Sequence, residues 1–235
     1  MSDIEILCSH CKRTFDMPRW VIKQMYDSIT TNTPIPKEEL ELFKFLSPDI
    51  DVIFDVGART DIDYKLIKPS VTCHLFEPDP VSFKDLHGKV QDLGLKDMYL
   101  NNHGISDEDG EFYYDDMIQS FRTHNPLYSK KLRVQTLEWY CKENKIDKID
   151  FLKTDTEGWD LRVILGAINY WPNIKYIQYE HWNDDNKYRA LLGQDFDCEY
   201  VGYRNGLCLN KKLLSEERRA EVIKYIRDNK LGELQ

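Results

Sequence analysis

The 235-residue sequence has no apolar run near the roughly 20 residues that a membrane-spanning helix requires. It is also short of positive charge, with 32 Lys and Arg against 41 Asp and Glu and a formal net charge of −9. An acidic surface disfavours nucleic acid, because phosphate contacts require clustered Lys and Arg. We therefore expect neither a membrane nor a nucleic-acid partner. A neutral, small-molecule or glycan substrate is favoured over a polyanionic one.

Cysteine is sparse and shows no disulfide-framework spacing, so the six cysteines are expected to be reduced thiols. The first residues do not show a basic segment followed by an apolar one, which favours a cytoplasmic location over secretion. Cys8 and Cys11, with His10 between them, are similar to one knuckle of a zinc ribbon. Tetrahedral zinc needs four ligands, and the other candidates, Cys198 and Cys208, are distant in sequence. Ordinary thiols are the simpler interpretation.

Two short apolar runs, each followed by a carboxylate and then a glycine, organise the chain. They are DVIFDVG at 51–57 and DFLKTDTEG at 150–158. Uninterrupted apolar runs are typical of strands buried on both faces. Ligands of open α/β sheets bind at the carboxyl ends of such strands. The sequence thus predicts one cleft, with a cofactor side and a substrate side.

Strand and helix patterns alternate from residue 51, which predicts an α/β domain over residues 50–235 behind an N-terminal helical extension over 1–49. Residues 115–131 show no period and are expected to form a loop over the cleft. A hairpin turn is expected at Arg204-Asn205-Gly206, because Asn-Gly tolerates positive φ. Strands are expected near 51–56, 71–76, 97–104, 111–114, 149–155, 174–180, 197–203 and 206–210. Helices are expected near 18–30, 37–46, 60–67, 79–93, 136–144, 159–167, 186–193 and 215–229.

The loops after the first two strands predict a nucleotide-like cofactor that carries no phosphates. Gly57 permits a tight turn and close approach of a ligand. Glu77, 20 positions later, is placed to accept hydrogen bonds from ribose hydroxyls. A dinucleotide site would show GxGxxG, whereas residues 57–61 read GARTD and Asp61 would repel a pyrophosphate. S-adenosylmethionine suits this loop, since Asp55 would attract its cationic groups.

Five motifs stand out along the chain: FDVGA at 54–58, FEPDPVSFKDL at 76–86, GISDEDGEF at 104–112, TLEWY at 136–140 and FLKTDTEGWDLRVILGA at 151–167. Together they resemble the FkbM family of S-adenosylmethionine-dependent methyltransferases, and Glu180 also fits its pattern. The resemblance covers about residues 50–182 and implies a class I methyltransferase fold. This is a Rossmann-like, seven-stranded, mostly parallel sheet with a C-terminal antiparallel hairpin. The resemblance also implies O-methylation of sugars or other small hydroxylated metabolites.

Carried onto this chain, the resemblance implies a set of residues that line the cofactor. Ser106 and Asp107 fit a simple turn equally well. The chain departs from the family pattern at Arg59 and Asp61, where Asn, a second Gly and a small or aromatic pair are usual. The implied cofactor residues are Asp55, Gly57, Ala58, Glu77, Pro78, Gly104, Ile105, Ser106 and Asp107.

Methyl transfer to a hydroxyl requires removal of the hydroxyl proton, and four side chains at adjacent strand ends are candidates for that role. Three of them have an alternative use, which is to hold magnesium or manganese together with a sugar diol. The catalytic candidates are Asp155, Glu157, Glu180 and His181, and the alternative metal ligands are Asp155, Glu157 and Glu180.

The leading hypothesis is a cytoplasmic O-methyltransferase acting on a hydroxyl of a sugar or glycan. The alternative is a catalytically weak or inactive methyltransferase scaffold that acts as a binding module. Arg59, Asp61 and the Cys8–Cys11 segment motivate this alternative. A nucleic-acid methyltransferase is disfavoured by the net charge and by the lack of an NPPY-like motif.

Overall fold

Thirteen strands lie in the part of the chain that the computed structural model describes, which is residues 4–7, 14–17, 37–116, 119–123, 129–181, 185–202 and 204–231. They are β1 (Ile4–Leu7), β2 (Thr14–Met17), β3 (Val52–Val56), β4 (Thr72–Phe76), β5 (Met98–Asn101), β6 (Gly104–Ile105), β7 (Gly110–Asp115), β8 (Ser120–Arg122), β9 (Ser129–Gln135), β10 (Ile149–Thr154), β11 (Ile174–Glu180), β12 (Phe196–Val201) and β13 (Asn205–Asn210).

Seven α-helices lie in the same described segments, with 3-10 turns at Ser47–Asp49 and Ile168–Asn173. The helices are α1 (Lys37–Leu46), α2 (Asp63–Ile67), α3 (Pro80–Asp92), α4 (Leu137–Glu143), α5 (Asp160–Leu165), α6 (Asp185–Leu192) and α7 (Glu216–Asp228). None of the described helices combines the length and apolarity needed to cross a bilayer.

The central sheet has the strand order β12-β13-β11-β10-β3-β4-β5. Strand β13 runs antiparallel to both of its neighbours, and the other pairs are parallel. This is the predicted class I methyltransferase fold, including its C-terminal antiparallel hairpin. The parallel strands β3, β4, β10 and β11 all end at the same edge, and that edge therefore collects the residues that follow them.

The apolar runs form strands because both faces of the sheet are covered. Every residue of β10 is buried. Phe54 of β3 packs on the side of α4 and α5, whereas its neighbour Ile53 packs on the side of α1 and α3. Two helices begin at side-chain N-caps, since Asp79 accepts from the backbone N–H of Ser82 and Ser215 accepts from that of Arg218. These features place helices in a layer on each side of the sheet.

A second sheet, in the order β6-β9-β7-β8, includes the strand expected near 111–114 and extends through the region expected to be a polar loop. The loop prediction for 115–131 was therefore wrong at Ser120–Arg122 and from Ser129 onward. The polar composition of this region led to the wrong prediction because β8 and β9 bury few apolar side chains. Phe121 and Val134 are buried, whereas Lys131 is exposed. An apolar period is not detectable over such short strands.

The N-terminal extension contains a two-stranded antiparallel sheet, β1–β2, ahead of the predicted helix α1. Its helical prediction at 18–30 and the Cys8–Cys11 segment lie outside the described residues. The extension is tied to the domain at Asp49, whose carboxylate accepts from the Tyr176 hydroxyl at 2.9 Å and pairs with Arg218 of α7 at 2.7 Å. Segments far apart in sequence thus meet on one carboxylate.

The hairpin β12–β13 differs from the sequence-based expectation in two ways. Cys198 and Cys208 lie directly opposite each other and form a disulfide, so the expectation of reduced thiols was wrong for this pair. The described free thiols are those of Cys73 and Cys141, both buried. Asn205 belongs to β13, where it pairs with Val201, and the turn precedes it.

Candidate active site

A cleft with about 460 Å³ of open space lies at the carboxyl ends of β3, β4 and β10. The tip of the β7–β8 hairpin forms the opposite wall. The described residues that line the cleft are Val56, Gly57, Arg59, Glu77, Pro78, Ser82, Gly104, Ile105, Tyr114, Gln119, Ser120, Phe121, Asp155, Thr156 and Glu157.

Gly57 holds three strand ends together at the floor of this cleft. Its backbone has φ +88, and a β-carbon there would lie 2.0 Å from the carbonyl oxygen of Asp155. Its N–H donates to the carbonyl of Phe76, at the end of β4, at 2.9 Å. Only glycine combines this conformation with such close contact.

Glu77 presents a buried carboxylate at the end of β4. One oxygen accepts from the backbone N–H of Asp79 at 2.8 Å, and the other accepts from that of Arg59 at 2.9 Å. Burial raises the pKa of Glu77 to about 7, and the two N–H donors oppose that rise. Each carboxylate oxygen can accept a second hydrogen bond, so the residue can also bind a pair of ligand hydroxyls.

Asp55 is not on the cleft surface. Its side chain is 1% exposed and lies 3.6 Å from the ammonium group of Lys153, which is also 3.3 Å from Asp155. Burial raises the pKa of Asp55 to about 6, and Lys153 opposes the shift. The direct attraction of a cationic ligand by Asp55 is therefore not supported, because Lys153 is its neighbour and Asp155 is the carboxylate that reaches the cleft.

Asp155 and Glu157 follow β10 and both line the cleft. Asp155 is 45% exposed, whereas Glu157 is 26% exposed and accepts a hydrogen bond from the guanidinium of Arg59 at 3.1 Å. Burial, and then the charge of Asp155, raise the pKa of Glu157, while Arg59 and Arg204 lower it. The two carboxylates therefore differ in solvation and in partner.

The implied cofactor residues Gly104–Asp107 divide between the cleft and the interior. Gly104 and Ile105 line the cleft. Ser106 is fully buried, accepts from the indole N–H of Trp159 at 3.3 Å and donates to Asp107 at 2.9 Å. Asp107 in turn pairs with Arg162 of α5 at 3.1 Å. These last contacts fasten α5 to the loop after β6, which agrees with the structural interpretation of Ser106 and Asp107.

The remaining predicted residues lie apart from the described cleft lining. Ala58 is fully buried behind the loop. Glu180, at the end of β11, pairs with Asn205 in the sheet register, and the N–H of His181 donates to the carbonyl of Arg204 at 2.8 Å. Glu180 ends the strand next to β10 and His181 follows it. Neither residue is among the described residues that line the cleft.

The arrangement does not support the alternative metal site. Among the described residues, no group of three or more His, Cys, Asp or Glu side chains is placed to hold a metal ion. Asp155 faces Lys153, and Glu157 faces Arg59. Each carboxylate therefore already has a basic side chain as its neighbour, and Lys153 is shared with Asp55.

The β7–β8 tip supplies site residues that sequence patterns did not identify. Ser120 is buried and its hydroxyl donates to the carbonyl of Thr156 at 2.8 Å, which fastens the tip to the end of β10. Phe121 packs against Gly104, where a β-carbon would lie 2.4 Å from its ring. Phe121 stands alone among polar residues in the sequence, so no apolar pattern marks it.

The strand order and the cleft at its carboxyl edge define a class I methyltransferase fold. The family model of the methyltransferase FkbM domain matches residues 55–204, and the chain belongs to this methyltransferase family. No curated protein sequence gives a significant match.

Several solved structures are similar to this chain at low identity. One is a putative caffeoyl-CoA O-methyltransferase from Staphylococcus aureus (8% identity, 81% of this chain and 91% of that chain, TM-score 0.49). Another is the N-terminal domain of human METTL16 in complex with SAH (9% identity, 88% of each chain, TM-score 0.49). A third is an rRNA methylase from Streptococcus thermophilus (11% identity, 76% and 99%, TM-score 0.47).

Proposed function

We propose that this protein transfers a methyl group from S-adenosylmethionine to a hydroxyl of a sugar or glycan. The observation that carries the proposal is that Gly57, Glu77 and Asp155 line a single cleft within a methyltransferase-family domain. An acceptor for ribose, a close-approach glycine and an exposed carboxylate are the groups that this chemistry needs. The acceptor class rests on the family resemblance and the acidic charge balance.

The side chains of the cleft suit each part of S-adenosylmethionine. Glu77 would accept from the ribose hydroxyls, because each of its oxygens retains accepting capacity. Pro78, Ile105 and Phe121 would form an apolar wall for the adenine. The cofactor supplies an electrophilic methyl group on a sulfonium centre. Asp155 would place negative charge beside the cationic groups of the cofactor.

Asp155 and Glu157 are the candidates to receive the hydroxyl proton of the acceptor. Asp155 has solvent access, and Glu157 has a pKa raised by burial and by the charge of Asp155. A positioned general base contributes roughly 10²–10⁴-fold to rate. Of the described lining residues, three are acidic and one is basic, which favours a neutral acceptor over nucleic acid.

The experiment is a calorimetric titration of the purified protein with S-adenosylmethionine, with and without EDTA or added Mg²⁺. We expect saturable binding at micromolar concentration that EDTA leaves unchanged. The reason is that Asp155 and Glu157 are each paired with a basic side chain, Lys153 and Arg59 respectively. Screening of sugars for methyl acceptance then identifies the acceptor. If a variant that carries both Asp155→Asn and Glu157→Gln folds and retains full transfer, the assignment of the catalytic cleft is wrong.

Absence of binding under every condition would favour a non-enzymatic binding module instead.

The cytoplasmic location also remains a prediction, and the Cys198–Cys208 disulfide provides its test. Disulfides are rare in the cytosol. Thiol trapping during cell lysis will show whether the pair is oxidised in its own compartment.

A further inference from the structure

Arg59 contacts both Glu77, on the proposed cofactor side of the cleft, and Glu157, on the proposed substrate side. Its backbone N–H donates to Glu77 at 2.9 Å, and its guanidinium donates to Glu157 at 3.1 Å. Arg59 has φ +47 and Glu157 has φ +54, so both residues adopt a left-handed conformation that non-glycine residues rarely adopt. The Arg59 side chain is 33% exposed and lines the cleft.

The charges around the cleft are unequal. Of the described lining residues, Glu77, Asp155 and Glu157 are acidic, and Arg59 alone is basic. Lys153 lies beneath, 4% exposed, between Asp55 and Asp155. A ligand that carries a carboxylate would be repelled from most of this wall, and the accessible cation is Arg59.

We infer that the Arg59 guanidinium binds the α-carboxylate of the amino-acid end of S-adenosylmethionine, and that Glu157 competes with that carboxylate for it. This inference rests on the proposed function. It concerns the position at which this chain departs from the usual pattern of its family. Arg59 therefore compensates for the missing second glycine by supplying a charged side chain in place of a close-approaching backbone. Guanidinium and carboxylate form paired, charge-assisted hydrogen bonds of matching geometry.

The inference gives Glu157 a second role in the reaction. When Arg59 turns from Glu157 to the cofactor, Glu157 loses one of the two arginine charges, those of Arg59 and Arg204, that stabilise its ionised form. The burial and the Asp155 charge that raise its pKa are then less opposed. Glu157 thereby becomes a stronger proton acceptor once cofactor is bound.

Two adenosine thioethers separate this role from general damage to the site. S-adenosylhomocysteine carries the amino-acid end, whereas 5′-methylthioadenosine lacks it, and neither bears a sulfonium charge. We would measure the Kd of both by calorimetry. In Arg59→Gln we expect binding of S-adenosylhomocysteine to weaken about 10- to 100-fold, since charge-assisted hydrogen bonds are lost. Binding of 5′-methylthioadenosine should change less than about threefold.

Two further variants guard against misfolding and test the competition. Glycine readily adopts the backbone φ of +47° found at Arg59, and Arg59→Gly keeps the backbone N–H that donates to Glu77. This variant should therefore fold and lose affinity for S-adenosylhomocysteine selectively. Glu157→Gln should tighten S-adenosylhomocysteine binding and leave 5′-methylthioadenosine binding unchanged. The control is Arg227→Gln on α7, which pairs with Glu199 instead of a cleft residue and should alter neither Kd.

Each other outcome overturns a defined part of the argument. Equal weakening of both ligands in Arg59→Gly, or no weakening of either, would contradict the assignment of Arg59. Equal affinity of the wild-type protein for the two ligands would do the same and leave the proposed function intact. Failure of the wild-type protein to bind either thioether would overturn the proposed function, and the assignment of Arg59 with it.

Discussion

Gly57 and Asp155 contact each other so closely that a β-carbon on Gly57 would lie 2.0 Å from the Asp155 carbonyl oxygen. The contact joins the loop after β3 to the end of β10. The first is the proposed cofactor loop, and the second carries the candidate bases. The two halves of the proposed reaction therefore share one backbone contact.

Gly57→Ala should consequently destabilise the fold and abolish cofactor binding. A left-handed alanine and a backbone clash together cost roughly 2–5 kcal/mol in the free energy of unfolding. Chemical denaturation measures this cost. The matched control is Gly88→Ala in α3, where a β-carbon meets nothing within 4 Å. That change should stabilise the helix by up to about 1 kcal/mol, and similar costs at both sites would contradict the packing argument.

Glu77→Gln should weaken the binding of S-adenosylhomocysteine and 5′-methylthioadenosine alike, because both contain the ribose that Glu77 is proposed to hold. We expect a loss of about 10- to 100-fold for each, from the loss of charged hydrogen bonds. Calorimetry with the two ligands measures it. A loss confined to S-adenosylhomocysteine would place Glu77 at the amino-acid end instead. The surface variant Glu138→Gln on α4 should leave both affinities unchanged.

Glu39 of α1 should make the protein less stable as the pH rises. Its carboxylate is buried and accepts from the side-chain amides of Gln178 and Asn205, each at 2.7 Å. Burial raises its pKa to about 7, with Asp155 and Asp55 adding to the rise and Lys153 opposing it. The folded state therefore holds this proton more tightly than the unfolded state, in which the pKa is near 4.5.

The stabilisation from Glu39 is complete below pH 4.5 and is lost as the pH rises through about 7. The loss amounts to roughly 3 kcal/mol. In Glu39→Gln this dependence should vanish, so the difference in unfolding free energy between wild type and variant should change across that window. Denaturation curves at pH 4.5 and pH 8 measure it, with Glu41→Gln on the same helix as the control. A constant difference would show that Glu39 does not titrate there.

Reduction of the Cys198–Cys208 disulfide should lower stability without unfolding the protein. The bridge closes a loop with a sequence separation of 10, for which the chain-entropy relation gives about 3 kcal/mol. Denaturation with and without reductant measures the effect, and mass spectrometry of unreduced peptides identifies the linkage. The variant with both cysteines replaced by alanine should be insensitive to reductant. An unchanged wild-type curve under reduction would contradict the pairing.

Local sequence signals predicted the inner strands of the central sheet well because β3, β4, β10 and β11 are short, apolar-rich segments. The strand expected at 174–180 and the helix expected at 37–46 have the observed bounds. The glycine and the acid after the first two strands, Gly57 and Glu77, were also brought to one cleft as expected. Signals of this kind are carried by neighbouring residues, so they can be detected without knowing which distant residues are in contact.

The features that were missed depend on contacts between distant residues. Glu39 meets Gln178 across 139 positions, and nothing near Glu39 distinguishes it from the exposed acids of the same helix. Asp55 was expected at the cleft surface because it follows an apolar run, but Lys153 on the adjacent strand covers it. The role proposed for Arg59 likewise depends on its contact with Glu157, which is 98 positions away in the sequence.

The Asp49 junction shows that the segment defined by homology is smaller than the unit that folds. The family match spans residues 55–204, whereas Asp49 and Arg218 both lie outside it and bind each other at 2.7 Å, with the Tyr176 hydroxyl on the same carboxylate. A fragment trimmed to the matched segment would leave Tyr176 without its acceptor and would remove α1 and α7 from one face of the sheet. The shortest autonomous folding unit of this chain must therefore include both flanks.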